Sequence, residues 1–171
     1  MQSVLFDQTH MRRRSLRKRL MAAIVGLGLT FPASAYAAPC VAANELAPLQ
    51  VRMLQTELMV AALTCNQRTD YNLFITRFQP QLSAQGKMLQ SFFKQKYGSG
   101  SGKALNGFVT RIANESSRRG MVKRGLFCRQ SASIHSESKN IGPDGLLALA
   151  QTQKFSGLHG IKLCPTKVAA K

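Results

Sequence analysis

Three sets of residues in this chain are of types that could do chemistry. Ser131 and His135 stand four apart with Glu137 close by, which is the stock of a nucleophile, a base and a carboxylate for a small hydrolase. All three fall on one short helical stretch, and neighbours on one helix do not converge with oxyanion donors around a reacting carbon. A solvated polar face is the expectation there. The second set is Gly98-Ser99-Gly100-Ser101-Gly102-Lys103. A phosphate loop needs Gly, four residues and then Gly-Lys-Ser/Thr after a strand. Here Tyr97 stands at the first glycine position and Ala104 at the hydroxyl position, and a helical pattern precedes the run. Its composition is that of a flexible connector.

The third set is the cysteines: Cys40, Cys65, Cys128 and Cys164, separated by 25, 63 and 36 residues. There is no C-x-x-C pair, and these gaps match neither zinc ribbons nor thioredoxin-type sites. His135 and His159 do not form an i,i+4 pair, so no metal site and no cofactor is expected. An even cysteine number in an oxidising compartment reads as two disulfides. Four cysteines allow three connectivities, and spacing does not choose among them.

The compartment is read from residues 1–37. Arg12, Arg13, Arg14, Arg17, Lys18 and Arg19 form a positive block, Leu20 to Phe31 is uncharged, and Ala35-Tyr36-Ala37 is a small-x-small cleavage pattern. This is the order of a secretory signal peptide cut after Ala37, with Met11 a candidate true start. Twelve residues rise about 18 Å as a helix against a hydrocarbon core of roughly 30 Å, too short for an anchor. Arg13-Arg14 partly resembles a twin-arginine signal, but general secretion fits the loose match better. Pro39 before Cys40 argues against lipid attachment. The sequence therefore predicts a cleaved leader over 1–37 and one domain over 38–171, periplasmic or secreted. No second apolar run in the remainder is long enough to cross a membrane.

Charge suggests a partner. The chain has 24 Lys and Arg against seven Asp and Glu, a net charge of +17. Six of the basic residues and Asp7 lie in the leader, leaving 18 basic against six acidic and a net +12. Arg118, Arg119, Lys123, Arg124 and Arg129 are the one notable cluster. Such an excess attracts anionic partners as well as keeping a protein dissolved. In an exported protein those partners are lipid headgroups, lipopolysaccharide, peptidoglycan or another acidic polymer. Few aromatics interleave with these cations, so nucleic acid is not expected.

The elements that would position these groups are helices. Asn44 is a candidate cap for a first helix to about Thr64, with Pro48 in its first turn. Leu46, Leu49, Met53, Val60 and Leu63 lie on one side of it, and Leu54, Leu58, Ala61 and Cys65 on another, which predicts a central helix. With Asp70 as cap, Tyr71, Phe74, Ile75, Phe78, Leu82, Leu89, Phe92 and Phe93 recur at three- and four-residue steps. Pro80 makes this one kinked helix, or two with the proline opening the second, and Gly98 ends it. Ser101 caps a third, with Leu105, Phe108, Val109, Ile112, Ala113 and Ser116 on its face. Gly120 breaks it, and a fourth runs from Met121 to about Ser136 with Leu126, Phe127 and Ile134 inward. Gly142-Pro143-Asp144 starts a short fifth through Leu146, Leu147, Leu149 and Ala150. The four methionines after the leader, Met53, Met59, Met88 and Met121, read as core filler. The tail after about 157 has no period, and no segment alternates as a strand. The predicted fold is an all-α, disulfide-stapled bundle of four to five helices. If the first two helices are antiparallel, Cys65 lies where the fourth begins, which favours Cys65–Cys128 and leaves Cys40–Cys164 for the termini.

Leu54-Gln-Thr-Glu-Leu-Met-Val-Ala-Ala-Leu-Thr-Cys65, Tyr71-Asn72, Phe78-Gln-Pro-Gln-Leu82, Phe108-Val-Thr-Arg-Ile-Ala-Asn114 and Phe127-Cys128 together resemble a group of small exported alphaproteobacterial proteins. The resemblance covers about residues 46–128. It implies an exported helical protein with a disulfide between the helices and carries no functional residues; Cys164 lies outside it. The resulting expectation is a non-enzymatic binding or accessory protein of the cell envelope, held to an anionic component by the basic cluster. The alternatives are a small periplasmic hydrolase around Ser131, His135 and Glu137, and a subunit of an envelope complex.

Overall fold

The computed structural model describes residues 40–165 apart from 154, 156 and 158. The expected leader, with its cleavage pattern, falls outside the described residues. Six α-helices follow one another: α1 Leu46–Thr64, α2 Arg68–Arg77, α3 Gln79–Tyr97, α4 Ser101–Val122, α5 Arg124–Asn140 and α6 Leu146–Thr152. The expected all-α bundle is the fold found, and both disulfides are formed, Cys65–Cys128 and Cys40–Cys164. None of the described helices is long and apolar enough to cross a membrane.

The helix α1 is central, as its two apolar sides require, and packs against all five other helices. On one side Leu49 and Met53 meet Leu89, Phe92 and Phe93 of α3 and Phe108 and Ile112 of α4. The Phe93 ring lies 5.6 Å from that of Phe108 and 5.3 Å from that of Phe92. On the other side Val51, Leu54 and Leu58 meet Phe74 and Phe78, Ile134 of α5, and Leu146, Leu149 and Ala150 of α6. The long aromatic stripe therefore serves two cores. The break at Phe78 divides it, and Pro80 sits in the first turn of α3, where a missing N–H leaves no helical bond unmade.

Several local expectations are corrected. Asn44 caps nothing: residues Ala43–Glu45 form a 3-10 turn, and the Glu45 carboxylate accepts the Ala42 N–H at 2.8 Å. Asp70 lies inside the first turn of α2 and accepts from Lys139 at 2.7 Å. Ser101 opens α4 without capping it, and the glycine run before it is a 3-10 turn with Gly98 at φ 52°. Gly120 does not end α4, which continues to Val122. A Cβ there would stand 3.2 Å from Thr64 Cγ2 and 3.4 Å from the Phe127 ring, so the missing side chain lets α1 and α5 approach. Leu63 and Leu126, expected inward, are exposed, and of the four methionines only Met53 is core. Two residues at each end pair as strands, Cys40–Val41 parallel to Lys162–Leu163, against the expectation of none. A two-residue bridge has no alternation to detect; the Cys40–Cys164 bond joins the termini there, and the Cys164 N–H donates to the Val41 carbonyl at 2.9 Å.

Candidate functional site

The five clustered cations lie where α4 gives way to α5, an elbow at Lys123 (φ −135°, ψ 54°). Hydrogen bonds run through it: the Lys123 N–H donates to Arg119 O and the Phe127 N–H to Lys123 O. The elbow is fixed to the C-terminal end of α1 from several directions. Cys65 bonds Cys128, and Phe127 packs on Val60 and Ala61. Arg124 donates to the Thr64 carbonyl at 2.7 Å, covering one of the acceptors that a helix end leaves open. Gln67 donates to Cys128 O at 3.1 Å and accepts from the Ser131 hydroxyl at 2.8 Å.

The cations do not all do the same thing. Arg119 donates to the buried Glu57 carboxylate at 2.6 Å and lies over the Phe127 ring, its guanidinium carbon 5.5 Å from the centroid. That pair joins α1 to α4 and makes Arg119 a structural group. Arg118 pairs with Glu115 at 2.7 Å on the exposed face of α4, and its guanidinium holds the Glu115 carboxyl below the usual range. Lys123 and Arg129 make no ion pair among the described residues. No acid and no side-chain cap occupies the first turn of α5; Lys123 and Arg124 stand there instead. Cations at the positive end of a helix dipole are unfavourable, so these two do not serve the stability of α5 through its dipole.

Apolar groups share this surface. Met121 is 76% exposed, Val122 67% and Leu126 45%. Leu63, next to Thr64, is exposed as well. Val122 and Leu126 join Phe127 in lining a shallow cleft of about 220 Å³ whose edge carries Arg118 and Lys123. The sequence shows the cations; the apolar half was missed because Leu126 and Met121 fit an inward stripe on a helix thought to begin at residue 121.

The hydrolase residues are not brought together. Ser131 is fully buried and its hydroxyl donates to Gln67 Oε1 and Cys128 O. His135 is buried with neither ring nitrogen hydrogen-bonded, and burial lowers its pKa. Glu137 is exposed. Among the described residues no three His, Cys, Asp or Glu side chains gather as a metal site. No family model matches the chain, and neither the curated proteins nor the solved structures contain a match to it. The fold and bonds thus define a class by architecture: a helical bundle stapled by two disulfides, the kind of bond that persists in oxidising compartments.

Proposed function

We propose that the protein is a non-enzymatic binding or accessory protein of the cell envelope, exported to the periplasm by cleavage after Ala37 and held on an anionic surface through the α4–α5 elbow. The exported group that its sequence resembles, the leader pattern and the two disulfides support the compartment. The observation that carries the binding reading is the set of outward cations, Arg118, Lys123 and Arg129, on an elbow held rigid by a disulfide. Near an anionic surface each such cation contributes about 1 kcal/mol at low salt. Replacing all three by glutamine leaves Arg119 and Arg124 in their structural bonds and weakens binding to anionic vesicles or peptidoglycan sacculi by about 100-fold. Wild-type protein that stays wholly in the supernatant of both at low salt would refute the binding reading. N-terminal sequencing of the protein from exporting cells tests the compartment, with Ala38 as the expected first residue.

A further inference from the structure

We infer that the surface taken by the elbow is an anionic phospholipid bilayer, into whose interface Met121, Val122 and Leu126 insert while Arg118, Lys123 and Arg129 meet the headgroup phosphates. This rests on the anionic-surface reading above and names its partner.

Three observations carry it. First, the apolar residues are placed together at an exposed turn between helices. Met121 and Val122 are consecutive and the most exposed of the large apolar side chains among the described residues, and Leu126, across the elbow in α5, lines the same cleft as Val122. Clustered apolar exposure marks an interaction surface, whereas scattered apolar residues need no explanation. Second, the charge around them is predominantly positive, and the two carboxylates that come near, Glu115 and Glu57, are each taken up by an arginine. From Ser116 to Ser136 the chain has five Arg and Lys and no Asp or Glu, with Glu115 and Glu137 just outside. Third, the elbow is fixed before it binds, by Cys65–Cys128, the Arg124–Thr64 bond and the close approach at Gly120. Insertion then orders no loop and incurs little entropy cost.

Charge complementarity and apolarity together select the partner. A hydrated acidic polysaccharide would pair with the cations and leave Met121 and Val122 in water. A protein surface presents both signs of charge and needs a deeper seat than this cleft. A bilayer interface presents a plane of phosphates over hydrocarbon, which matches a ring of cations around projecting apolar groups.

The chain has no tryptophan, so one introduced residue is a unique reporter. Val122→Trp reads the elbow, and Met88→Trp, exposed on α3 beside Pro48 at the other end of α1, is the control. The exported protein is mixed with vesicles of phosphatidylglycerol and phosphatidylethanolamine. The expected result is a blue shift and quenching by brominated acyl chains for Val122→Trp, and neither for Met88→Trp. In the unlabelled protein Val122→Asp weakens vesicle binding about tenfold, the worth of burying one valine, and does so even in high salt where charge is screened. Vesicle-bound Val122→Trp protein with unshifted, unquenched emission overturns insertion and leaves the anionic-surface reading standing. So does binding to sacculi without binding to vesicles. Binding to neither overturns both. Matching circular dichroism and urea midpoints for each variant and the wild type separate these outcomes from misfolding.

Discussion

The two disulfides give the sharpest test of how this fold is held. Cys65 and Cys128 are 63 residues apart, and Cys40 and Cys164 are 124 apart. Loop-closure entropy assigns about 4 kcal/mol to the shorter loop and about 5 to the longer. The loops are nested, so with Cys65–Cys128 closed the outer bond constrains only 61 further residues (124 less 63), and its share falls to about 4 kcal/mol. The native states respond differently when each bond is removed. In a Cys65→Ala/Cys128→Ala variant the partners stay packed: Phe127 on Ala61, Gln67 on the Cys128 carbonyl, Arg124 on Thr64. The folded state gains no freedom, and the full 4 kcal/mol or so is lost. In a Cys40→Ala/Cys164→Ala variant the ends can detach, being docked chiefly by Val41 and Ile161 in the core and by the Arg111 bond to the His159 carbonyl. Fraying returns entropy to the folded state, which limits the loss to about 3 kcal/mol, the low end of the value of burying the Val41 and Ile161 side chains. Urea unfolding at pH 7 measures both, with stability read from the extrapolated free energy because the unlinked unfolded chains expose more surface and steepen the slope. An inner-pair loss below about 1 kcal/mol, or an outer-pair loss larger than the inner, would refute the reasoning.

Other consequences are as direct. Phe93→Ala empties a ring buried between Phe92, Tyr97 and Phe108 and costs about 3–5 kcal/mol by the same assay. Gly120→Val drives two methyl groups toward Thr64 and Phe127 and costs about 2 kcal/mol, whereas a valine at the open Gly86, inside α3, is neutral or stabilising by a few tenths because glycine is the poorer helix former. His135 and His159 both have pKa values lowered by burial, so below about pH 6.5 the unfolded chain takes up protons that the folded one does not. Their contribution is complete above that pH and is lost as pH falls below it, with a slope of at most about 1.4 kcal/mol per pH unit for the buried His135 and less for the partly exposed His159. Asp70 raises the His135 pKa and Lys139 lowers it, but desolvation is the larger effect. His135→Leu, which removes two unpartnered nitrogens, is expected to flatten this dependence in denaturation curves taken between about pH 5.5 and 7.5, without loss of stability at pH 7.5. Arg124→Ala exposes the Thr64 carbonyl and shortens protection of the last turn of α1, visible as faster amide exchange at Ala62 to Thr64.

The sequence alone determined the helices with long apolar periods and the centrality of α1. Local chemistry suffices there: Leu49, Met53, Leu54 and Leu58 can only be satisfied by neighbours on both sides. It also offered the split at Pro80 as one of two readings, beside a single kinked helix, and the structure takes the split, since a proline without an N–H is cheap only in a first turn. It narrowed the disulfide pairing, because helix direction places Cys65 beside the start of α5. Caps were misread at Asn44, Asp70 and Ser101, where the side chains found other partners or none and a capping residue type is only a propensity. Tertiary structure alone decided the elbow. Gly120 looks like a helix stop in sequence, yet packing between Thr64 and Phe127 makes it a contact point, which carries α4 two residues further and leaves Met121 and Val122 in solvent. The five cations fall close together in sequence, between Arg118 and Arg129, but their division into structural groups and free ones depends on Glu57 and Thr64, about 60 residues away. Periodicity reports which residues share a helical face; which face stays unpartnered is set by contacts that no local pattern encodes.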